Sequence, residues 1–213
     1  KTQFFANISH ELRTPLTLVL GPTERLLRAQ NLTPEQRRDA ELVLRNARTL
    51  LRHVNDLLDV SRLEAGKLEA SYARGDLAKV LRRVASHFDA LASERSIRYV
   101  VEAPESLTSE FDPELLQRVL LNLLANAFKF TPAAGQIRVS LKELEQKRAL
   151  IEVADSGPGV RPEHRQMIFE RFQQADASST RRFGGAGLGL AIAKDFVELH
   201  AGPQQLFPVL RVA

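Results

Sequence analysis

Apolar residues recur at helical spacing along two long stretches at the start of the chain. Between residues 4 and 20 one apolar stripe is formed by Ile8, Leu12, Pro15 and Val19. From residue 34 to about 65 the apolar positions step by four and three residues, as in a packed helical seam. They are Val43, Ala47, Leu50, Val54 and Leu57, with a second row of Leu44, Leu51 and Leu58. The pattern predicts two long antiparallel helices, over about 1–29 and 34–65.

The ends of these helices carry recognisable signals. Thr33 is placed as N-cap of the second helix, with Pro34 at the first helical position and Gln36 at the third. Gly66 is expected to end that helix, and Pro15 to bend the first one. Because the apolar stripe is wider than one partner helix covers, we expect two hairpins to pair as a four-helix bundle in a homodimer.

After about residue 72 the pattern changes to alternating helices and strands. It predicts helices over 77–92, 112–128, 161–172 and from the glycine-rich stretch to about 199, and strands over 97–102, 135–144 and 149–154. The fold class is therefore α+β, a long helical hairpin followed by an α/β sandwich with a mixed sheet. We expect one domain over 1–67, a hinge at 68–75 that allows the second domain to swing, and that second domain over 76–213.

Composition narrows the possible partners. The 213 residues include 30 basic and 26 acidic side chains, a net charge of +4, spread without long runs of one sign. This is typical of a solvated surface and gives no reason to expect a nucleic-acid partner. The absence of cysteine excludes disulfides and thiolate metal sites and suits a cytoplasmic location. Apolar runs are too short to span a bilayer. Since the chain begins with Lys1 and no signal peptide, we expect a fragment whose parent continues upstream into a sensor or membrane domain.

His10 lies on the side of the first helix opposite the apolar stripe, among polar neighbours. Glu11 follows it directly, and Thr14 comes one helical turn later. A helical histidine is commonly a solvated or hydrogen-bonded structural side chain. A neutral imidazole beside a carboxylate is also a competent nucleophile or proton shuttle. The spacing alone does not choose between these interpretations.

Three further groups of residues have both a structural and a chemical interpretation. Asn122 and Asn126 lie one turn apart on an apolar helix, where they are either solvated or capping amides, or oxygen ligands of the kind that Mg²⁺ takes together with phosphates. Asp155 ends a strand before a Gly-Pro-Gly turn, as a turn residue or as an acceptor for an exocyclic amine. The glycines between 184 and 189 precede a helix, as a bare loop or as a phosphate site.

Four stretches in a fixed order carry a family resemblance. They are HELRTP at 10–15, NLLANAFKFTP at 122–132, DSGPG at 155–159, and IFERFQQAD at 168–176 followed by GGAGLGLAIAK at 184–194. Each string alone is weak, whereas their order and separation are specific. Over residues 4–202 the sequence resembles the catalytic core of a sensor histidine kinase of two-component signalling.

The resemblance implies an enzyme that binds ATP with Mg²⁺ and phosphorylates itself. In this family the residue at the position of His10 accepts the phosphoryl group and passes it to an aspartate of a response-regulator receiver. We expect Glu11 to orient or accept the ring proton. Thr14 corresponds to a position associated with water in the reverse, phosphatase reaction.

The resemblance also assigns the nucleotide contacts. Asn126 is assigned to Mg²⁺, Asn122 and Lys129 to the phosphates, Phe130 to the pocket edge and Asp155 to the adenine. Gly157 and Gly159 would allow close approach of the base, while Gly185, Gly187, Leu188 and Gly189 would form the phosphate loop. Phe169 and Phe172 are expected to anchor a lid at 173–183 that contains Arg181 and Arg182.

The sequence departs from the family pattern at two places. Ala186 replaces the usual threonine or serine of the glycine loop, which removes one hydroxyl contact. After residue 202 only eleven residues follow, including Pro203 and Pro208, so we expect at most one short strand near 209–212 and a shortened sheet edge.

Two alternatives to kinase activity stay open from the sequence. One is another ATPase of the wider superfamily of gyrase, mismatch-repair and heat-shock chaperone ATPases, which shares the asparagine helix but lacks HELRTP. The other is a dimeric scaffold or phosphatase that has lost kinase activity. The remaining histidines (His53, His87, His164 and His200) are interpreted as structural or surface residues, without a zinc or iron site.

Overall fold

The computed structural model describes residues 2–29, 31–144, 148–173, 187–200 and 209–212, with the backbone alone for 2–10 and 209–212. The chain divides into two compact units, Lys1–Leu68 and Glu69–Ala213. Within the described ranges, no helix combines the length and the apolar character that a bilayer crossing requires. The proposed hinge at 68–75 concerns motion and stays a prediction.

The first unit is the predicted helical hairpin. Helix α1 spans Thr2–Leu27 and helix α2 spans Pro34–Glu64. The predicted start of α2 is confirmed, because Thr33 and Gln36 form a reciprocal capping box with Pro34 at the first position. Its end is confirmed as well. Gly66 has a φ of +60°, and the amides of Gly66 and Lys67 donate to the carbonyls of Leu63 and Arg62 in a Schellman arrangement.

The buried face of this hairpin differs from the predicted one. Its buried apolar side chains are Leu16, Ala40, Ala47, Val54, Leu58 and Val60. Val43 and Leu50 of the predicted seam are 44% and 51% exposed, and Leu12, Pro15 and Val19 of the predicted α1 stripe are exposed as well. The periodicity correctly identified apolar rows. However, two helices have one contact line between them, and Val43 and Leu50 of the first row lie outside it, whereas Leu58 of the second row is buried.

The second unit contains two sheets and four helices in its described part. Its helices are α3 (Leu77–Ser86), α4 (Asp89–Glu94), α5 (Pro113–Phe130) and α6 (Gly189–His200). Its strands are β1 (Ala73–Asp76), β2 (Arg98–Glu102), β3 (Thr108–Phe111), β4 (Gln136–Glu143), β5 (Ala149–Asp155) and β6 (Val209–Val212). The larger sheet has the order β2-β4-β5-β6 and is mixed. β4 and β5 are antiparallel, and the two outer pairs are parallel. The predicted α+β class is confirmed.

The core of this unit lies between the larger sheet and the helices. Inward-facing residues of β4 and β5 are at most 3% exposed: Ile137, Val139, Leu141, Ile151 and Val153. Apart from the buried Ser140, the residues between them are more exposed, as expected for a sheet covered on one face. From the helices, the largest fully buried side chains are Leu81, Val84, Val119, Leu120, Leu124, Phe128, Ile192 and Phe196. This layer fixes α5 and α6 over the sheet.

Two predicted helices need correction, one strand pair was not predicted, and one short strand is confirmed. The helix predicted over 77–92 is broken at residues 87–88 into α3 and α4, and the helix predicted over 161–172 consists of two 3₁₀ turns, Pro162–His164 and Met167–Phe169. β1 and β3 form an unpredicted antiparallel pair, since their four-residue strands lack an apolar alternation. The strand predicted near 209–212 is β6, paired with β5.

Candidate functional site

Helix α5 presents four of the predicted site residues along its length. Asn122, Asn126 and Lys129 are half-buried, and Phe130 at the last position is 37% exposed. Asn122 and Phe130 lie about 12 Å apart along the axis, at about 1.5 Å per residue. The helix starts at Asp112, whose side chain accepts hydrogen bonds from the amides of Glu114 and Leu115. One rigid element therefore sets the spacing of these groups.

The beginning of α6 meets α5 at Asn122. A Cβ atom on Gly189 would lie 3.4 Å from Asn122 Oδ1, so the first turn of α6 passes directly beside this amide. Gly187 has a φ of +69°, and a Cβ there would lie 2.8 Å from the Gln173 carbonyl oxygen. Leu188 between them is buried. The free amides of a helix start are thus brought beside a half-buried side-chain amide, a combination suited to phosphate.

The turn after β5 meets the other end of α5. The amide of Gly157 donates to Asp155 Oδ1 at 2.7 Å, which fixes the carboxylate in an Asx turn. A Cβ on Gly157 would lie 2.6 Å from that oxygen and 3.1 Å from the Phe130 carbonyl oxygen. Gly159, with a φ of +67°, is exposed. This end therefore offers an oriented carboxylate in a turn that lies against the backbone of Phe130.

Lys129 supplies a positive charge in the last turn of α5. Its Nζ lies 4.8 Å from the centroid of the Phe130 ring. Partial burial lowers the pKa of Lys129 below its ordinary value, since burial penalises the charged form. A bound anion would restore the charged form and gain from its attraction.

Some predicted residues lie outside the described part or are placed differently. Gly185, Ala186 and the predicted lid with Arg181 and Arg182 fall within 174–186, which is outside the described residues. Phe172, predicted to anchor the lid that follows it, has a φ of +64° and is 63% exposed, so its ring does not pack in the core. Its amide instead donates to the Gly187 carbonyl at 3.0 Å.

The predicted phosphoacceptor region belongs to α1 of the first unit. The side chain of His10 is outside the described residues. Glu11 and Thr14, one and four positions later on the helix, are exposed. Their assignments stay predictions.

Sequence reasoning missed several residues that hold the site together. Arg171 and Asp195 form an ion pair at 2.9 Å that joins the 3₁₀ segment to α6. Arg95 donates to the carbonyls of Phe128 and Thr131 at the end of α5. The acceptors of Arg95 are backbone carbonyls, which carry no sequence signal. His200 is buried and hydrogen-bonded at both ring nitrogens, to Asp112 and Phe196, as a structural histidine.

Comparison with known proteins decides the family. Residues 1–66 match the His Kinase A (phospho-acceptor) domain, and residues 111–208 match the histidine kinase-, DNA gyrase B- and HSP90-like ATPase domain. The mycobacterial sensor histidine kinase MprB has a solved structure that is 31% identical with a TM-score of 0.52, over 62% of this chain and 81% of that one. This chain belongs to the sensor histidine kinase family.

Two relatives extend the histidine kinase match over nearly the whole chain. Hybrid signal transduction histidine kinase D of Dictyostelium discoideum is 48% identical over 207 residues, 95% of this chain and 13% of the relative. The structure of full-length ShkA in complex with AMPPNP is 38% identical with a TM-score of 0.75, over 93% of this chain and 41% of that one. The chain thus spans only a small part of these longer kinases. Because the phospho-acceptor domain precedes the ATPase domain, other ATPases of the superfamily are a poorer match.

Proposed function

We propose that this chain is the catalytic core of an ATP-dependent protein-histidine kinase that phosphorylates His10. The observation that carries the proposal is the placement of α5, which meets the start of α6 at Asn122 and the turn of Asp155 at Phe130. One helix therefore joins an end suited to phosphates to an end suited to a base. The ShkA neighbour was solved with the ATP analogue AMPPNP, which supports an adenine nucleotide as the ligand.

Each site residue then has a role in binding. Asp155 accepts from the adenine amino group through the carboxylate oxygen that Gly157 does not occupy. Phe130 borders the base, and Lys129 and Asn122 contact the phosphates. Gly157 and Gly159 allow the base to approach the backbone. Gly185, Gly187, Leu188 and Gly189 supply backbone amides to the phosphates, together with the first turn of α6.

Asn126 is the residue that fits Mg²⁺. No cluster of three or more His, Asp or Glu side chains is available to a metal within the described ranges. An amide oxygen on α5, acting with nucleotide phosphates and waters, matches the partial coordination that Mg²⁺ accepts. When bound, the ion would neutralise charge on the phosphates.

The phosphoryl transfer requires positioning and charge neutralisation more than covalent help from the protein. A neutral ring nitrogen of His10 attacks the γ-phosphorus. The N–P bond forms as the bond from the γ-phosphorus to the β,γ-bridging oxygen breaks, and ADP leaves with the electron pair. Glu11 accepts or orients the proton on the other ring nitrogen.

The phosphoryl group then passes from His10 to an aspartate on a receiver domain of a response regulator, and Thr14 positions water for the reverse dephosphorylation. The relative from Dictyostelium discoideum is named a hybrid signal transduction histidine kinase, which supports this relay. Thr14→Ala is expected to slow dephosphorylation of the receiver while labelling of His10 continues. Unchanged dephosphorylation would remove the role of Thr14.

Because ATP and receivers are cytoplasmic, we propose that this catalytic core lies in the cytoplasm.

Nucleotide binding is tested by calorimetric titration with AMPPNP and Mg²⁺. Asp155→Asn replaces an acceptor with a donor toward the adenine amino group and should weaken binding by about tenfold or more. Glu143→Gln is the matched control, because Glu143 is an exposed carboxylate at the end of β4. Equal affinity of Asp155→Asn and the parent for AMPPNP would contradict the proposal that Asp155 binds the adenine amino group. Binding without any phosphorylation of His10 would favour the scaffold or phosphatase alternative.

A further inference from the structure

The loop between α4 and β2 is hydrogen-bonded to the C-terminal end of α5. The Arg95 guanidinium donates to the Phe128 carbonyl and, at 2.6 Å, to the Thr131 carbonyl. These are carbonyls at the C-terminal end of α5, which lack partners within the helix and attract positive charge. Arg95 is half-buried, so its two charge-assisted hydrogen bonds are partly shielded from water.

The position of Arg95 is itself fixed by the backbone. Arg95 ends α4, where its amide donates to the Leu91 carbonyl and Ser96 adopts a φ of +52°. The Ile97 amide returns to the Ala92 carbonyl at 2.8 Å. This closed turn is the kind of backbone support that holds a side chain in one place.

The loop is also bonded to the turn that follows α5. The Ala134 amide donates to the Arg95 carbonyl at 3.0 Å, and the Arg98 amide donates to the Gly135 carbonyl at 2.8 Å. Gly135 has no room for a side chain, since a Cβ would lie 2.5 Å from Thr131 Cγ2 and 2.8 Å from Ser156 Oγ. The turn at residues 131–135 is therefore in close contact with the loop of Arg95 on one side and with Ser156 on the other.

Ser156 completes the connection to the base-reading carboxylate. Its Oγ accepts from the Gln136 amide at 2.8 Å, and its own amide donates to the Gln136 carbonyl at 3.0 Å. Asp155 precedes this residue, and Gly157 after it lies against the Phe130 carbonyl. Contacts thus run from Arg95 through residues 128–136 to Asp155.

We propose that Arg95 is a positioning residue that holds Asp155 and the end of α5 in the geometry that distinguishes adenine from other bases. The inference rests on the proposed function and deepens it. Arg95 acts at the base end, because its side-chain contacts with the Phe128 and Thr131 carbonyls lie around the last turn of α5. These contacts are at least about 9 Å along the helix axis from Asn122, where α6 begins. Its loss should therefore change base selectivity and leave phosphoryl transfer at saturation intact.

The test compares affinities for ATP and GTP by equilibrium titration in the presence of Mg²⁺. Arg95→Met removes both carbonyl contacts and is expected to lower the preference for ATP over GTP by about tenfold. Arg95→Lys keeps one contact and should lose less. Arg138→Met is the control, since Arg138 is an exposed arginine on β4. The maximal rate of His10 labelling at saturating ATP should stay within about twofold of the parent.

Each outcome has a definite meaning. An unchanged ATP-to-GTP ratio in folded Arg95→Met, or a fall in the maximal rate without a change in the ratio, overturns the inference. If thermal melting shows that Arg95→Met is unfolded, Ser156→Ala decides in its place, because it removes the hydroxyl contact with Gln136 and should lower the same ratio. Failure of the parent to bind ATP would instead overturn the proposed function.

Discussion

At the scale of single residues, Lys129 shows how burial prepares a charge for a ligand. Burial lowers its pKa in the unliganded protein, and a bound triphosphate raises it again by attraction. Between these two pKa values ATP binding takes up a proton. The affinity for ATP therefore falls as the pH rises through this alkaline range, and lower pH removes the dependence because Lys129 is then charged in both states.

Lys129→Met tests this account. We expect it to weaken ATP binding by about tenfold at neutral pH and to remove the alkaline fall in affinity. Lys129→Arg should retain binding without the alkaline fall, because arginine stays charged. Titrations with AMPPNP from neutral to alkaline pH measure both effects. An alkaline fall that persists in Lys129→Met would show that another group is responsible.

At the scale of elements, α5 depends on its N-cap residue, Asp112. Asp112 is 6% exposed, and its carboxylate accepts from the amides of Glu114, Leu115 and Ser71. Removing it deprives one buried and two partly buried backbone amides of this partner. Asp112→Ala should lower the free energy of unfolding of the second unit by about 2 kcal/mol, and Asp112→Asn by less, since asparagine also caps.

Tyrosine fluorescence measures this effect in the intact chain. The sequence contains no tryptophan and only two tyrosines, Tyr72 and Tyr99, both in the second unit. Their signal in a urea titration therefore follows that unit without interference from the hairpin. Equal midpoints for Asp112→Ala and the parent would mean that the cap contributes little to α5.

Sequence predicted the elements whose patterns are local. The hairpin, α5, β4 and β5 follow from periodicity, and the capping box of Thr33 follows from its residue types. The break after α3 and the 3₁₀ turns did not follow, because the residues around His87 and Arg165 carry no Gly or Pro that would mark the end of a helix there. Short strands such as β1 are stabilised by pairing rather than by their own composition.

The candidate site was predictable in part for a similar reason. Asn122 and Asn126 are one turn apart on a helix, so their common side follows from spacing alone. The approach of Gly189 to Asn122, and of Gly157 to the Phe130 carbonyl, depends on how α5 packs against α6 and against the turn after β5. Arg95 contacts backbone carbonyls 33 and 36 positions away. A contact of that kind depends on the tertiary fold.

At the scale of the whole molecule, the helical hairpin presents an apolar surface. Its exposed large apolar side chains are Leu12, Leu18, Val19, Leu26, Leu42, Val43 and Leu50. Exposed apolar side chains in this number favour association, and a second hairpin would cover them in a four-helix bundle. On this basis we propose that the chain forms a homodimer through the helical hairpin.

Leu50→Glu tests the dimer. Leu50 is 51% exposed in the single chain, so the substitution should leave the hairpin folded while weakening self-association by at least about tenfold, since a charge would be buried in the dimer. Thr49→Glu adds the same charge at the neighbouring exposed position and should leave association unchanged. Analytical ultracentrifugation measures both. A parent that sediments as a monomer would contradict the four-helix bundle.

The most direct test of the kinase assignment is labelling with γ-phosphate-labelled ATP and Mg²⁺. The parent should acquire label that is lost in acid and survives alkali, as a phosphoryl group on a histidine nitrogen does. His10→Gln should acquire none, while His87→Gln, at an exposed histidine of the second unit, should label like the parent. Label that remains in His10→Gln, or a parent that binds ATP and stays unlabelled, would contradict phosphorylation at His10.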